Sequence, residues 1–536
     1  MNRIVVGAAS ALALALAVGC GGGGQGATTA AGKSEIGGGK SISTGEMPGG
    51  AKVKAEAADA FTQAVNDFKQ HEQARDWDDA VCTSVAKAFL AAGRAQGGKF
   101  PAAHYNAGIA LVHCGKDGEA SSEFDIALSE GRELNAGKKD PEFHQAWVQK
   151  ALIRFRKGDV PGITDAINLI MTKGFAEDAT ANVEAFVNLG MLYRERWNRD
   201  EKNPDRTKAD DYGYKDDLER SQFWLQNALS INDSFMPAYN QLALFYLDKA
   251  RAVGAKNAAK AKKVAKADEQ TLELGLLVSE EASRRDTEYA GIWNTQGLIL
   301  LELGRTGVAT GAFRKATEKD SKFFEAWMNY AAINLSFRSF DEAAKGYKAA
   351  AGIRPKDYDA KLGLGVATRG ELDYHLTQKV KIENLESRCA GNGDDPACRA
   401  LNPQQAEQAK KEHTSKLLDL YKGALADYEE CIKLDGGRPE AYFDRALLVE
   451  KYKSNVGIGS NADGYLEAAK LYDEVGQKFS GNPNPAWAKV AEDAKKNAGY
   501  AREAAEPPKV KTPPAAKGSA APAGSAAPAS SGATPK

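Results

Sequence analysis

The chain has 536 residues, a net charge of −1, 43 % hydrophobic and 27 % charged residues. That length is enough to bury a large core, and a near-neutral balance lacks the basic face that a nucleic-acid partner calls for. Six cysteines leave disulfides open wherever the compartment is oxidising.

The first residues read as a leader. Met1-Asn2-Arg3 carries one positive charge, and Ile4 to Val18 is an apolar run of mostly Ala, Leu and Val that leads into Gly19-Cys20. The run is too short to span a bilayer stably and has the charged start, apolar core and small-residue end of a secretory signal over residues 1–19. A cysteine directly behind small residues resembles the bacterial lipobox, and that resemblance implies acylation of Cys20 as the mature N-terminus. Ala17 stands where the lipobox prefers Leu. The alternative is an ordinary signal peptide with an incidental cysteine. Residues 20–55, opening on Gly21 to Gly24, read as a Gly-rich tether. Gly21 rather than Asp follows the cysteine; in familiar Gram-negative systems this favours the outer membrane. The expected location is therefore the cell envelope, lipid-anchored and facing the periplasm.

From residue 56 to 504 the apolar pattern is helical and repeats. Trp293, Gly297, Leu300, Ala309, Phe313 and Ala316 form one set, and Trp327, Tyr330, Ala331, Ala343, Tyr347, Ala350 and Pro355 form the next. Trp293 to Trp327, Phe313 to Tyr347 and Ala316 to Ala350 are each the same step of ~34 residues. Tyr105, Gly108, Ala120, Phe124 and Ala127 carry the register upstream, as do Phe186, Leu189, Gly190, Leu225 and Ala228. Leu364, Gly365, Ala424, Tyr428, Cys431, Tyr442 and Ala446 carry it downstream, and weaker copies lie at 58–93 and 144–174. This pattern resembles the tetratricopeptide (TPR) family. The resemblance implies an all-α superhelical solenoid of about nine helix pairs, with a groove that binds peptides or partner helices. Small residues are expected where two helices cross closely, and large ones between one pair and the next.

Three repeats are interrupted. The first interruption holds Asn198 to Pro204, the second Lys256, Lys260, Lys262, Lys263 and Lys266, and the third Cys389 and Cys398 around a turn-rich loop. The lysines suit an anionic lipid or acidic partner, or simply a solvated helix extension. Cys389 and Cys398 are expected to be bonded. Cys82 and Cys114 lie on neighbouring predicted helices, with pairing and non-pairing both open. Cys431 takes an Ala position of the repeat and reads as a small buried hydrophobe. A last helix containing Trp487, Val490, Ala494 and Ala498 is expected to cap the array, and residues 505–536 form a Pro/Ala/Lys tail too poor in apolar residues to bury a core.

In the TPR family the groove-facing residues lie on the first helix of each repeat. That rule selects Tyr105, Ile109, Asn188, Met191, Asn240, Leu244, Asn294, Leu298, Met328, Leu362, Val366, Phe443 and Leu447. The row is apolar with interspersed amides and lacks the Lys/Asn clamp of chaperone-binding members, so it suits an amphipathic helix or extended peptide. Packing on neighbouring helices is the other reading of each residue.

Catalytic and metal signatures are missing. Gly93 to Phe100 nearly spells a phosphate-binding loop, but Phe100 replaces the Ser or Thr that holds magnesium. Asn392, Asp394 and Asp395 lack the spaced ligands of an EF-hand, and the six histidines show no HExxH spacing. The expectation is a non-enzymatic scaffold without cofactor or small-molecule substrate, held to a membrane by the lipid on Cys20 and to envelope proteins by the groove. Its layout resembles the TPR lipoproteins of myxobacterial gliding motility. The alternative is an assembly or pilotin-type lipoprotein serving outer-membrane proteins or secretins.

Overall fold

The computed structural model describes residues 52–506, except 75, 137–143, 157–159, 176–182, 200–206, 209–212, 262–265, 392–397 and 399–401. The leader, Cys20, the tether up to residue 51 and the tail from 507 onward lie outside the described residues, as does most of the Cys389–Cys398 loop. Among the described residues the protein is all-α: nineteen helices and no strand.

The helices are α1 (Ala55–Ala74), α2 (Asp79–Gln96), α3 (Pro101–His113), α4 (Asp117–Leu134), α5 (His144–Arg156), α6 (Val160–Lys173), α7 (Val183–Arg199), α8 (Asp217–Ile231), α9 (Met236–Ala261) and α10 (Glu269–Arg285). There follow α11 (Ala290–Glu302), α12 (Thr306–Lys319), α13 (Phe324–Ser336), α14 (Phe340–Ile353), α15 (Tyr358–Gly391), α16 (Pro403–Leu434), α17 (Glu440–Tyr452), α18 (Asn461–Lys478) and α19 (Pro485–Ala505). In the first unit α1 to α14 pack two by two in chain order as a TPR-type solenoid, each pair resting on the next, and in the second unit α16 to α19 pack in succession. The chain divides into two compact units at Tyr374/His375, inside α15.

The core is a chain of clusters, not one centre. In the first unit one cluster joins α1 to α5, a second joins α5 to α7, and others bridge α7 to α9 and α9 to α13. In the second unit α17, α18 and α19 share a cluster around Tyr442, Tyr472 and Ala494. This is the consequence of an apolar face that one helix pair cannot bury by itself.

Close crossing explains the small residues. A Cβ on Gly297 would stand 2.6 Å from the Phe313 ring, and one on Gly108 would stand 2.6 Å from the Phe124 ring. The same small-against-aromatic contact thus recurs in two separate repeats. Ala309, Ala316, Ala343 and Ala350 are fully buried at the neighbouring crossings.

The turn inside a pair also recurs at three places. Gly115, Gly304 and Arg338 sit at φ 68°, 73° and 59°, and the following amides, Lys116, Arg305 and Ser339, bond back to Leu111, Leu300 and Asn334 carbonyls. This left-handed residue with a long return bond is a Schellman closure, which satisfies orphan carbonyls at the helix end. Trp293 and Trp327 fasten the turn before each pair: their indole N–H groups donate to the Thr287 and Ser321 carbonyls, at 2.9 and 2.8 Å. Side chains cap other starts. Asp78, Asp216 and Asp268 accept from backbone amides three residues on, and Ser460 with Asp463 forms a capping box.

The interruptions are partly built from lengthened helices. α9 runs 26 residues and carries Lys256 exposed on its surface. The link returns to it through a bond from the Asp268 amide to the Ala250 carbonyl. α15 and α16 reach 34 and 32 residues, where α13 and α14 have 13 and 14.

Replacing Gly297 with Val forces a branched side chain against Phe313. Urea unfolding of this variant is expected to show a loss of about 1–3 kcal/mol, the usual cost of overpacking, while Gly311→Val, at a site with nothing within 4 Å, is expected to cost far less.

Candidate functional site

First helices stand closer to one another than second helices do. In the first unit α7 meets α9 and α9 meets α11, with no comparable contact joining α8 to α10 or α10 to α12. The first helices therefore form the inner side of the stack there, the surface on which the candidate residues were placed.

The structure sorts those candidates. Tyr105, Ile109, Met191, Asn240, Asn294 and Leu362 are buried, in keeping with the packing alternative left open beside the groove reading. Tyr105 lies in the core cluster with its ring 5.8 Å from that of Phe124. Burial, and then the nearby Glu184 charge, hold its phenol neutral well above the usual range, with a Gln149 hydrogen bond acting in the opposite sense. Leu244, Leu298, Met328 and Val366 on α9, α11, α13 and α15 are half-buried, as are Phe443 and Leu447 on α17. The Phe443 ring packs 5.4 Å from Tyr472.

The amides have hydrogen-bond partners within the stack. Asn240 Oδ1 accepts from the Thr295 hydroxyl at 2.6 Å, and Asn294 Oδ1 accepts from Asn329 Nδ2 at 2.9 Å. Each bond ties a first helix to the first helix of the next repeat. Asn188, half-buried, gives its Nδ2 to the Glu184 carbonyl at 2.8 Å. These groups work inside the stack because a buried polar group left without a partner costs more than the bond returns.

What remains is an apolar stripe. Leu298 and Leu301 lie one turn apart on α11, and Met328, Ala332 and Leu335 follow one another along α13, all half-buried. Leu301 and Leu335 were missed from the sequence, although they are separated by the same step as Trp293 and Trp327. An ion pair lies where α11 ends: Arg251, within α9, meets Glu302 at 2.6 Å and joins α9 to α11. Further along, Arg194 bonds both Asp248 and Glu195 at 2.8 Å, and Asn198 joins Asp248 at 2.8 Å. All of Arg194, Glu195 and Asp248 are buried. Between α7 and α8, the fully buried Asp217 receives Arg196 at 2.7 Å and Arg220 at 2.9 Å, and both guanidinium groups lie over the Tyr193 ring. No periodic pattern marks these charged clusters in the sequence.

The other motifs resolve locally. Gly93 to Gln96 end α2, Gly97 caps it in the left-handed region, and Phe100 is buried 5.3 Å from Phe61; the near phosphate-binding loop is a helix terminus. Cys82 and Cys114 form one disulfide between α2 and the end of α3, with Cα atoms 6.3 Å apart. Cys389 and Cys398 form another, at 5.3 Å. Cys431 is buried in α16 outside either bond. Among the described residues no group of three or more His, Cys, Asp or Glu is placed to hold a metal ion, and no helix is long and apolar enough to cross a membrane.

No protein-family model matches the chain, and no curated protein sequence matches it. Solved structures similar to it include TPR proteins. TTC0263 from Thermus thermophilus is 18 % identical over 42 % of this chain and 98 % of its own, with a TM-score of 0.32. A tetratricopeptide repeat protein from Parabacteroides merdae is 14 % identical over 66 % and 98 %, at 0.30. PilF of Pseudomonas aeruginosa is 12 % identical over 58 % and 96 %, at 0.32.

Replacing Asn240 with Ala removes the acceptor of the buried Thr295 hydroxyl. The expected result is a loss of about 1–3 kcal/mol in folding stability, read by thermal or urea unfolding, because the amide holds two repeats together.

Proposed function

We propose that the protein is a lipid-anchored scaffold of the bacterial envelope, in which the apolar stripe on α11 and α13 docks an apolar-faced helix or extended segment of a partner protein. The observation that carries the reading is the division of labour on the first helices. Their asparagines are spent on inter-repeat bonds, while Leu298, Leu301, Met328 and Leu335 stay partly open to solvent. A surface of this kind recognises by apolar anchors and shape, as helix-in-groove sites do.

Export is supported by cysteine use. Two disulfides suit an oxidising compartment and are rare where thiols are kept reduced. Together with the leader and the lipobox-like Cys20, this favours a protein tethered to a membrane through residues 20–55 and facing the periplasm. Within that class the layout resembles the gliding-motility TPR lipoproteins, so a motility machine is the partner assembly we favour.

Two experiments test this. Changing Cys20 to Ser is expected to move the mature protein from the membrane to the soluble fraction; a variant that still pellets with membranes contradicts the lipid anchor. Pull-downs from crosslinked membranes are expected to lose their envelope partners when Leu298 and Met328 are both changed to Glu in a protein whose helical content is unchanged. Capture of motility components by the unaltered protein assigns the machine. Capture of outer-membrane assembly components instead assigns the protein to the assembly or pilotin class, and undiminished capture by the variant moves the docking surface away from the stripe.

A further inference from the structure

Within the first unit, two distant parts of the stack touch. Lys322 lies in the turn between α12 and α13. Its Nζ donates to the carbonyl of Ala74, the last residue of α1, at 3.1 Å across 248 positions of sequence. The Asp76 carboxylate stands near the same ammonium. The His71 hydrogen bond, and in smaller part the Lys322 charge, hold that carboxyl below the usual carboxylate range. The six pairs from α1 to α12 separate the two points, so the stack curves back on itself before they meet.

The edges that meet are opposite ones. Successive helices run antiparallel, so turns inside pairs lie along one edge of the stack and turns between pairs along the other. Ala74 and Asp76 belong to the turn inside the first pair, and Lys322 to a turn between pairs. The stack has therefore advanced along its axis while curving. One edge of its beginning lies against the opposite edge at α13. That junction is a seam in the wall around the inner side, which carries Leu298 and Met328.

Both halves of the contact are built in advance. Beside Asp76, the Trp77 indole donates to Glu72 at 3.1 Å and stacks on His113 at 4.4 Å and 15°. His71 Nδ1 meets Asp76 at 2.8 Å, Asp78 caps α2, and the Cys82–Cys114 disulfide pins α2 to the end of α3. On the other half, the Lys322 amide donates to the Asp320 side chain at 2.8 Å, and the Trp327 indole holds the Ser321 carbonyl at 2.8 Å. Closure therefore has little backbone left to order.

The closing force is electrical. The Ala74 carbonyl is one that a helix end leaves without a partner in its own helix, at the negative end of the helix dipole. Lys322 and Asp76 are both exposed. Among the described residues, α1 and α2 do not pack along α12 or α13 as neighbours in the stack pack together. An exposed contact of this kind is weak and is screened as salt rises. A seam held this way opens and closes.

The geometry points to a charge-held clasp, in which Lys322 on Ala74 and Asp76 shuts the seam between α1 and α13, and its release opens a sideways route to the inner side. Use of that route by a partner rests on the docking reading; the seam itself is measured without one.

Spin labels at Gln70 on α1 and Glu318 on α12, both exposed, read the seam in the full-length protein by pulsed electron–electron resonance. At low salt one short, narrow distance is expected. Lys322→Glu is expected to lower the ratio of short to long distances about fivefold or more, the factor at the upper end for an exposed ion pair. Salt at about 1 M is expected to act in the same direction. Lys348→Glu, an equal charge change on exposed α14 surface, is expected to leave the distances alone. A cysteine placed at Met328 is expected to react faster with a bulky polymer maleimide once Lys322 is Glu, and at an unchanged rate with a small maleimide. Identical distances with and without Lys322→Glu, or a long, broad distribution in both, overturn the clasp. Opening of the distances with no gain in the polymer's rate overturns the sideways route.

Discussion

A pair of antiparallel helices has more apolar surface than it can hide by itself, and everything else in this protein follows from that. The surplus face is covered by the next pair, which has the same surplus, so the core runs along the chain as overlapping clusters. Stacking at close range sets the residue types. Glycine at 297 and 108 is needed because an aromatic ring from the second helix of the same pair occupies the space a Cβ would take. Alanines at 309, 316, 343 and 350 are tolerated, fully buried, at the next crossings. The energetic unit is thus the contact between neighbours, and stability accumulates roughly repeat by repeat.

The same stacking decides which groups are left for a partner. First helices crowd together on one side, and the polar groups that fall between them must be satisfied there. Asn240 and Asn294 reach across to the following repeat, and Arg194 draws Asp248 and Glu195 into a buried cluster. Such a cluster is a weak contributor to net stability but a costly one to break, because removing either sign leaves an uncompensated buried charge. Its position between α7 and α9 fixes how those two repeats meet. With the polar groups turned inward, the inner side presents carbon: Leu298, Leu301, Met328 and Leu335.

Legibility from sequence followed range and periodicity. The fold class and the helix pairs of residues 290–357 were readable because the small and large positions return at one fixed step. The turn between paired helices hides the same regularity: Gly304 is a readable signal, while its counterpart Arg338 takes the left-handed conformation without being glycine. The site was only partly readable. The bonds that Asn240 and Asn294 make to the next repeat were not readable, because spacing within a single helix does not reveal a partner one repeat away. The buried charges were invisible for a like reason, since Arg194 and Asp248 are far apart in sequence and belong to no repeat pattern.

The most direct test of the docking surface places a photoreactive amino acid at Leu298 on α11 or at Val308 on α12, which is exposed on a second helix, and irradiates intact cells producing each variant. The account predicts discrete adducts with an envelope protein from position 298 and none from 308. Adducts that form from 308 and not from 298 would contradict it, because the partner would then sit on the second helices and the apolar stripe would be packing surface alone.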